Sequence, residues 1–224
     1  MTGGAPGTTP GTTTGGGQPV LTLAADDLAD LASFTARAKH LDAAGAMRLQ
    51  LRDGVLATWV CVVPGAGLLQ EGTVLGMRAV PAACPVDVDV VVPLAAVTDR
   101  LAARSASTTT LPVPPSEVAA PWAAASPPMT GWEPVVRVDT ADLAELTRTG
   151  VQEVSAGAPA GSGAAAVADL RRRVWSRSVG AGWPQGLALG ADALGFLTGA
   201  DEAVVLRSGP WWRLATPTGH VLAR

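Results

Sequence analysis

The chain has 224 residues, of which 48% are hydrophobic and 16% charged, and its formal net charge is −3. This length and composition suit a folded protein built as one large domain or two small ones. The mildly negative charge provides no clustered basic surface, so we expect no nucleic-acid partner.

The N-terminal residues 1–18 are almost all Gly, Thr and Pro and carry no charge. Such a segment cannot bury enough apolar surface to offset the entropy lost on ordering, so we predict a disordered tail. It has neither the basic nor the apolar region of a secretory signal. No stretch of the chain reaches the roughly 18 uninterrupted apolar residues of a membrane span, so we expect a cytoplasmic protein.

Residues 19–104 are predicted to form a first unit that begins with a strand, "PVLTL", and a helix with Asp26 or Asp27 near its N-cap. Leu28, Leu31 and Phe34 place apolar side chains along one side of that helix. The following stretch, 47–52, alternates apolar and polar residues and leads into an Asp-Gly pair, which predicts a hairpin with 55–63 as the partner strand.

Two further strands, at 73–80 and 86–93, and a helix at 94–105 complete the first unit. Asp87 and Asp89 alternate with valines in the second of these strands, so both carboxylates would point to the same face. Such a pair could hold Mg²⁺ or Ca²⁺. We favour the alternative that the two acids keep an outward face of the strand wet.

Residues 105–133 hold six prolines among Ala, Ser and Thr, which excludes a helix or a central strand through this segment. We predict a Pro/Ala-rich linker. Because a free linker rarely carries tryptophan, Trp122 and Trp132 indicate that parts of it pack along the domain surfaces.

A second unit, 134–224, begins with the strand "PVVRV" and a helix from Thr140. A loop at 154–163, a helix at 164–178 and a helical segment at 191–197 are expected to follow, and then three short strands. The last strand, which ends at Arg224, could be a free sheet edge.

The starts of the two units share a sequence pattern, because "QPVLTLAADDLADL" at 18–31 recurs as "EPVVRVDTADLAEL" at 133–146. We therefore predict an α+β fold made of two related units, each a strand, a helix and antiparallel strands, joined by the linker.

The phrases "SPPMTGWEPVVRV", "LALGADALGFL" and "RSGPWWRLATPTGHVLAR" resemble an uncharacterised family of actinobacterial proteins. "ARAKHLDAAGAMRLQLRDGVLATWVCVV" in the first unit is similar to the same family. The repeated order of elements also resembles the building unit of DNA sliding clamps. Since the chain is shorter than a bacterial clamp subunit and has no basic helix face beyond one arginine cluster, this likeness implies a fold and not a function.

No catalytic motif emerges from the residues. His40 suits the C-terminal dipole of its helix, and His220 has no metal-ligand spacing. Serine, glycine-loop and phosphate-binding motifs are missing, so we predict no catalytic residue, metal or cofactor. Cys61 is expected to behave as a small buried hydrophobe, and a Cys61–Cys84 disulfide is not favoured in a cytosolic protein.

The seven tryptophans, beside two Phe and no Tyr, are the least ordinary feature. Trp59, Trp175 and Trp212 are expected in the core. Trp211 must then face the other way, where it either packs against the linker or is exposed as a binding anchor.

We predict a non-enzymatic module that binds an unidentified protein through a surface formed by Trp183, Trp211, Arg213 and His220. Two alternatives stay open. One is a small-molecule-binding or regulatory domain with a pocket between the units, and the other is an enzyme without a recognisable motif.

Overall fold

The computed structural model describes residues 18–67, 69–159 and 161–224. The predicted disordered tail therefore lies outside the described residues, apart from Gln18. The helices are α1 (Ala25–Leu41), α2 (Leu94–Ala102), α3 (Thr140–Gly157), α4 (Ala164–Trp175) and α5 (Gly186–Ala193), with a 3-10 turn at Pro121–Ala124. The strands are β1 (Val20–Thr22), β2 (Ala46–Arg52), β3 (Val55–Val63), β4 (Val74–Pro81), β5 (Val88–Pro93), β6 (Thr110–Pro112), β7 (Glu133–Asp139), β8 (Ser178–Val179), β9 (Trp183–Pro184), β10 (Glu202–Ser208), β11 (Trp211–Thr216) and β12 (Gly219–Ala223).

A single antiparallel sheet of eight strands, in the order β5-β2-β3-β4-β12-β11-β10-β7, runs through both units. The units meet where β12 pairs with β4, with Leu222 opposite Leu75 and His220 opposite Met77. The prediction of a free C-terminal edge is therefore wrong. Because Val221 and Leu222 are both buried on opposite faces of β12, this strand belongs in the interior of a sheet.

The helices cover one face of this sheet and create the main core. Leu28 in α1 and Leu143 in α3 hold the same place in the repeated sequence, and both are fully buried. The α+β fold with two related strand–helix–antiparallel-strand units is thus confirmed. The first strands of the two units differ in their pairing: β1 pairs with β6 in a small separate sheet, whereas β7 extends the large sheet beside β10.

The predicted hairpin turn at the Asp-Gly pair is confirmed. Asp53 and Gly54 have positive φ angles of 50° and 77°, which give the tight turn between β2 and β3. Asp26 and Asp27 lie near the start of α1 as predicted, within the first helical turn that follows the N-cap residue Ala24. There the two carboxylates still favour the positive end of the helix dipole.

Two helix boundaries in the second unit also differ from the prediction. Helix α3 continues to Gly157 through part of the predicted loop, where small residues of the sequence "SAG" tolerate the helix. Helix α5 begins at Gly186 and ends at Ala193, earlier than the predicted helical segment. Among the described helices, none is long and apolar enough to cross a membrane.

Helix α5 lies over the β4–β12 junction and approaches it through glycine. A Cβ atom on Gly190 would lie 2.6 Å from Cγ1 of Val221, and one on Gly76 would lie 2.0 Å from Cδ1 of Leu194. The absence of side chains at these two positions lets the helix backbone sit directly on the strands that join the units.

We expect Gly190→Ala to destabilise the protein by about 1–2 kcal/mol, although alanine has the higher helix propensity by about 1 kcal/mol. The reason is that Val221 is fully buried and its branched side chain cannot withdraw. Urea unfolding of the single variants and the double variant with Val221→Ala measures the effect. Gly190→Ala should cost less in the Val221→Ala background, and a stabilising effect in both backgrounds would contradict this packing.

Candidate functional site

The face of the sheet opposite the helices, here called the outer face, is crossed by a segment of the predicted linker. We call residues 118–132 the strap. The backbone N–H of Val118 donates to the carbonyl of Val91 at 2.9 Å. Arg48 Nη1 donates to the carbonyl of Ala123 at 3.0 Å. Trp122 is 8% exposed and Trp132 is half-buried, so both tryptophans of the strap pack against the domain.

Beneath the strap lies a second apolar cluster, separate from the main core. Its buried members are Leu75, Trp122, Trp211 and Leu222, and Trp59, Met77 and Trp132 pack against it. Trp211 points outward, as predicted from its alternation with Trp212, yet it is only 4% exposed. Trp211 therefore packs against the linker and is not an exposed binding anchor.

Arg213 and His220 lie on the same face, on the neighbouring strands β11 and β12. The guanidinium carbon of Arg213 is 4.6 Å from the centre of the Trp132 ring, which is a cation–π contact. Among the described residues Arg213 has no ion-pair partner. Burial lowers the pKa of Arg213, and burial together with the positive charge of Arg213 lowers the pKa of His220.

Three side-chain nitrogen atoms on this face are buried without a hydrogen-bond partner in the described part of the chain: Trp59 Nε1, Arg213 Nε and His220 Nδ1. Trp59 lies opposite Met77 on the next strand, and Met77 lies opposite His220, so two of the three share one row across the sheet. Buried polar groups normally have partners. The outer face therefore retains three polar atoms whose hydrogen-bonding capacity the described part of the chain does not use.

A cleft of about 230 Å³ opens between the strap and strands β2 and β3. Trp59, Leu75 and Trp122 form apolar parts of its wall, and Arg48 and Arg52 line its polar side. Met129 lies at the rim and is 84% exposed. An exposed methionine beside an apolar cleft is typical of adaptable binding surfaces.

Asp89 supports this face and is not a metal ligand in the observed arrangement. Arg48 donates to both of its oxygens, at 2.7 and 2.8 Å, and Gln50 donates at 2.9 Å. The Arg48 hydrogen bond is the main cause that lowers the pKa of Asp89. Asp87 lies outside the strand, because β5 begins at Val88. The residues that the structure describes contain no group of three or more potential metal ligands.

Trp183 is far from the other predicted surface residues in the fold. It is 3% exposed, belongs to the main core and lines a shallow cleft with Leu146 of α3 and Val136 of β7. The structure thus brings together Trp211, Arg213 and His220 but not Trp183. Trp59 was expected in the core, and its position on the outer face follows from its place opposite Arg48 in the hairpin.

Three candidate residues remain: Cys61, Cys84 and His40. Cys61 and Cys84 are free thiols. Burial is the main cause that raises the pKa of Cys61 to about 12, so this thiol is protonated at neutral pH and reacts slowly. His40 is exposed in the last turn of α1, where its placement near the helix C-terminus was predicted.

The two halves of the chain match two family models. Residues 17–123 match "Domain of unknown function (DUF8010)" and residues 127–224 match "Domain of unknown function (DUF8185)". The boundary between the models falls inside the segment predicted as the linker. No curated protein matches the sequence. The resemblance to uncharacterised proteins is confirmed at this level.

Several solved structures share the arrangement of the whole chain. The beta sliding clamp of Caulobacter crescentus is 12% identical, with a TM-score of 0.50 over 94% of this chain and 65% of that chain. A second structure of the DNA polymerase sliding clamp from Caulobacter crescentus is 10% identical, with a TM-score of 0.50 over 92% of this chain and 65% of that chain. The chain thus spans slightly less than two thirds of the length of these clamps. At this identity the likeness concerns the fold alone.

We expect the pKa of His220 to lie below the ordinary value for histidine, about 6.5, and to rise in Arg213→Gln because that variant removes the neighbouring charge. A base whose pKa is lowered by folding binds its proton more tightly when unfolded. The free energy of unfolding should therefore fall as the pH decreases from about 7 through the pKa of His220 in the folded protein.

Titration of the two histidine ring signals by NMR measures this directly, since His220→Gln identifies the signal of His220 and leaves that of His40. A pKa of His220 at or above the ordinary value for histidine, or no change in Arg213→Gln, would contradict the described environment.

Proposed function

Because the chain joins two matched domains of unknown function in a clamp-like fold, we propose that it is a non-enzymatic protein-interaction module that binds its partner on the outer face of the sheet. The proposed contact surface comprises the strap, the cleft beside it and the strands below. Trp211, Arg213 and His220 belong to it, with Trp211 as its buried support. Trp183, which lies in the main core, does not.

The observation that carries this proposal is the set of three buried nitrogen atoms without partners on one face. An unmade hydrogen bond at a buried polar group costs about 1–3 kcal/mol. A fold retains several such groups on one face at a cost in stability, which binding can recover when a partner supplies acceptors. Backbone carbonyls and carboxylates of a polypeptide are the acceptors available in greatest number.

The shape of the surface favours a polypeptide over a small molecule at this place. The cleft of about 230 Å³ is below the usual 300–1,000 Å³ of small-molecule pockets. It continues onto the strap, where Met129 presents an exposed apolar side chain. A peptide could lay one apolar residue against Met129 and its backbone against the rim.

The expectation that nucleic acid is not a partner stays a prediction. Its basis is the net charge of −3, and the DNA polymerase sliding clamps that share the fold give it no support. The domain boundaries at 18, 104 and 133 and a cytoplasmic location also stay predictions.

We expect Met129→Asp to reduce recovery of a stoichiometric partner by at least about tenfold when the tagged protein is purified from its native lysate, because a charge would face the apolar contact. Val151→Asp is the matched control, since Val151 is an exposed apolar residue on α3, on the helical side of the sheet. Mass spectrometry compares the two eluates. Equal loss in both variants, or equal retention, would contradict binding at the strap.

Trp59→Phe separates binding from stability. It removes the indole N–H that has no partner, so the free energy of unfolding should stay constant or rise slightly. If the partner accepts a hydrogen bond from this group, its affinity should fall about two- to tenfold, as measured by calorimetry with the purified partner. Unchanged affinity would show that Trp59 Nε1 is not part of the contact.

A further inference from the structure

A cavity of about 550 Å³ lies between the two units and is distinct from the cleft beside the strap. The first unit contributes Gly45 and Cys61 to its wall, the strap contributes Trp122, and α4 of the second unit contributes Arg171. Its volume is within the usual range for sites that enclose a small molecule, about 300–1,000 Å³.

One part of the cavity wall is apolar. Val63, Pro64 and Pro93 come from the ends of strands, Leu94 from the start of α2, and Val118 and Trp122 from the strap. Apart from the indole N–H of Trp122, these side chains have no hydrogen-bonding group. They therefore suit the hydrocarbon or aromatic part of a ligand. The indole of Trp122 adds a wide flat surface for such a body.

The opposite part of the wall carries charge. Arg171 and Arg172 line the cavity together with one carboxylate, Asp42. Arg172 already pairs with Asp169 on the same helix. Asp42 accepts a hydrogen bond from the backbone of Ala44 at 3.1 Å.

Arg171 is the group left available. Within the part of the chain that the structure describes, no carboxylate lies within ion-pair distance of its guanidinium, and its side chain is half-buried at the cavity. A guanidinium offers two parallel N–H groups to a carboxylate, which makes a bidentate contact. A single carboxylate matches the one available guanidinium, whereas a doubly charged phosphate would place a second negative charge near Asp42.

We propose that this cavity binds a small amphipathic monocarboxylic acid, with its apolar body against Trp122, Pro64 and Leu94 and its carboxylate on Arg171. Binding is non-covalent, because the thiol of Cys61 in the wall is protonated at neutral pH. This site shares Trp122 of the strap with the protein contact proposed above, but it uses none of the three unpartnered nitrogen atoms of that contact.

Cys61 provides a reporter for occupancy. In Cys84→Ser it is the only thiol of the chain, so its reaction with dithiodipyridine at mildly alkaline pH reports access to the cavity. Decanoate is the probe, and decanol of the same chain length is the uncharged control. At a decanoate concentration ten times its Kd the reaction should slow about tenfold, while decanol at the same concentration should slow it much less.

Arg171→Ala should weaken decanoate binding about 10- to 100-fold, because it removes a charge-assisted contact. Arg173→Ala is the matched control, since Arg173 lies on the same helix, is exposed and does not line the cavity. Calorimetric titration of each folded variant with decanoate gives the affinities independently of the thiol. Equal protection by decanol, equal weakening by both substitutions, or no binding of decanoate would overturn the proposal.

Discussion

The pairing of β4 with β12 is the contact on which the other features depend. It turns two four-stranded groups into one sheet of eight, so each face of the sheet is continuous across the two units. The helical face then needs a cover at the junction, and α5 supplies it through Gly190. The outer face needs a cover at the same place, because Leu75 and Leu222 meet there as an apolar pair, and the strap supplies it.

The candidate site exists only because the junction forms. Trp59 and Met77 belong to the first unit, whereas Arg213 and His220 belong to the second, and the register across β4 and β12 places them on one face. The units alone would each present a fragment of it. An interaction surface assembled in this way is coupled to the integrity of the whole fold, since any change that separates β4 from β12 also divides the surface.

Much of the fold could be predicted from local patterns. The apolar stripe of α1 and the Asp53–Gly54 turn each depend on a few neighbouring residues, and both are found. The places of Trp211 and β12 depend on partners distant in sequence. Alternation showed that Trp211 and Trp212 face opposite ways, but the cover over Trp211 comes from a proline-rich segment about 80–90 residues earlier, which no periodicity connects to it. For the same reason the row from Trp59 to His220 was not predicted, because it requires the register between two separate units.

The strap has a role beyond filling the outer face. Trp122 lines both the cavity between the units and the cleft beside the strap, and it is held by packing with Leu75, Trp211 and Leu222. Only the Val118 amide and the Arg48 guanidinium join the backbone of the described strap to the sheet by hydrogen bonds. Apolar packing of tryptophan therefore provides most of the attachment, and such packing is not directional. The strap can therefore shift when a ligand or a partner binds beside it without breaking a ladder of hydrogen bonds. The strands beneath it could not shift without breaking theirs. The segment that joins the two units thus also separates the cavity between the units from the cleft beside the strap.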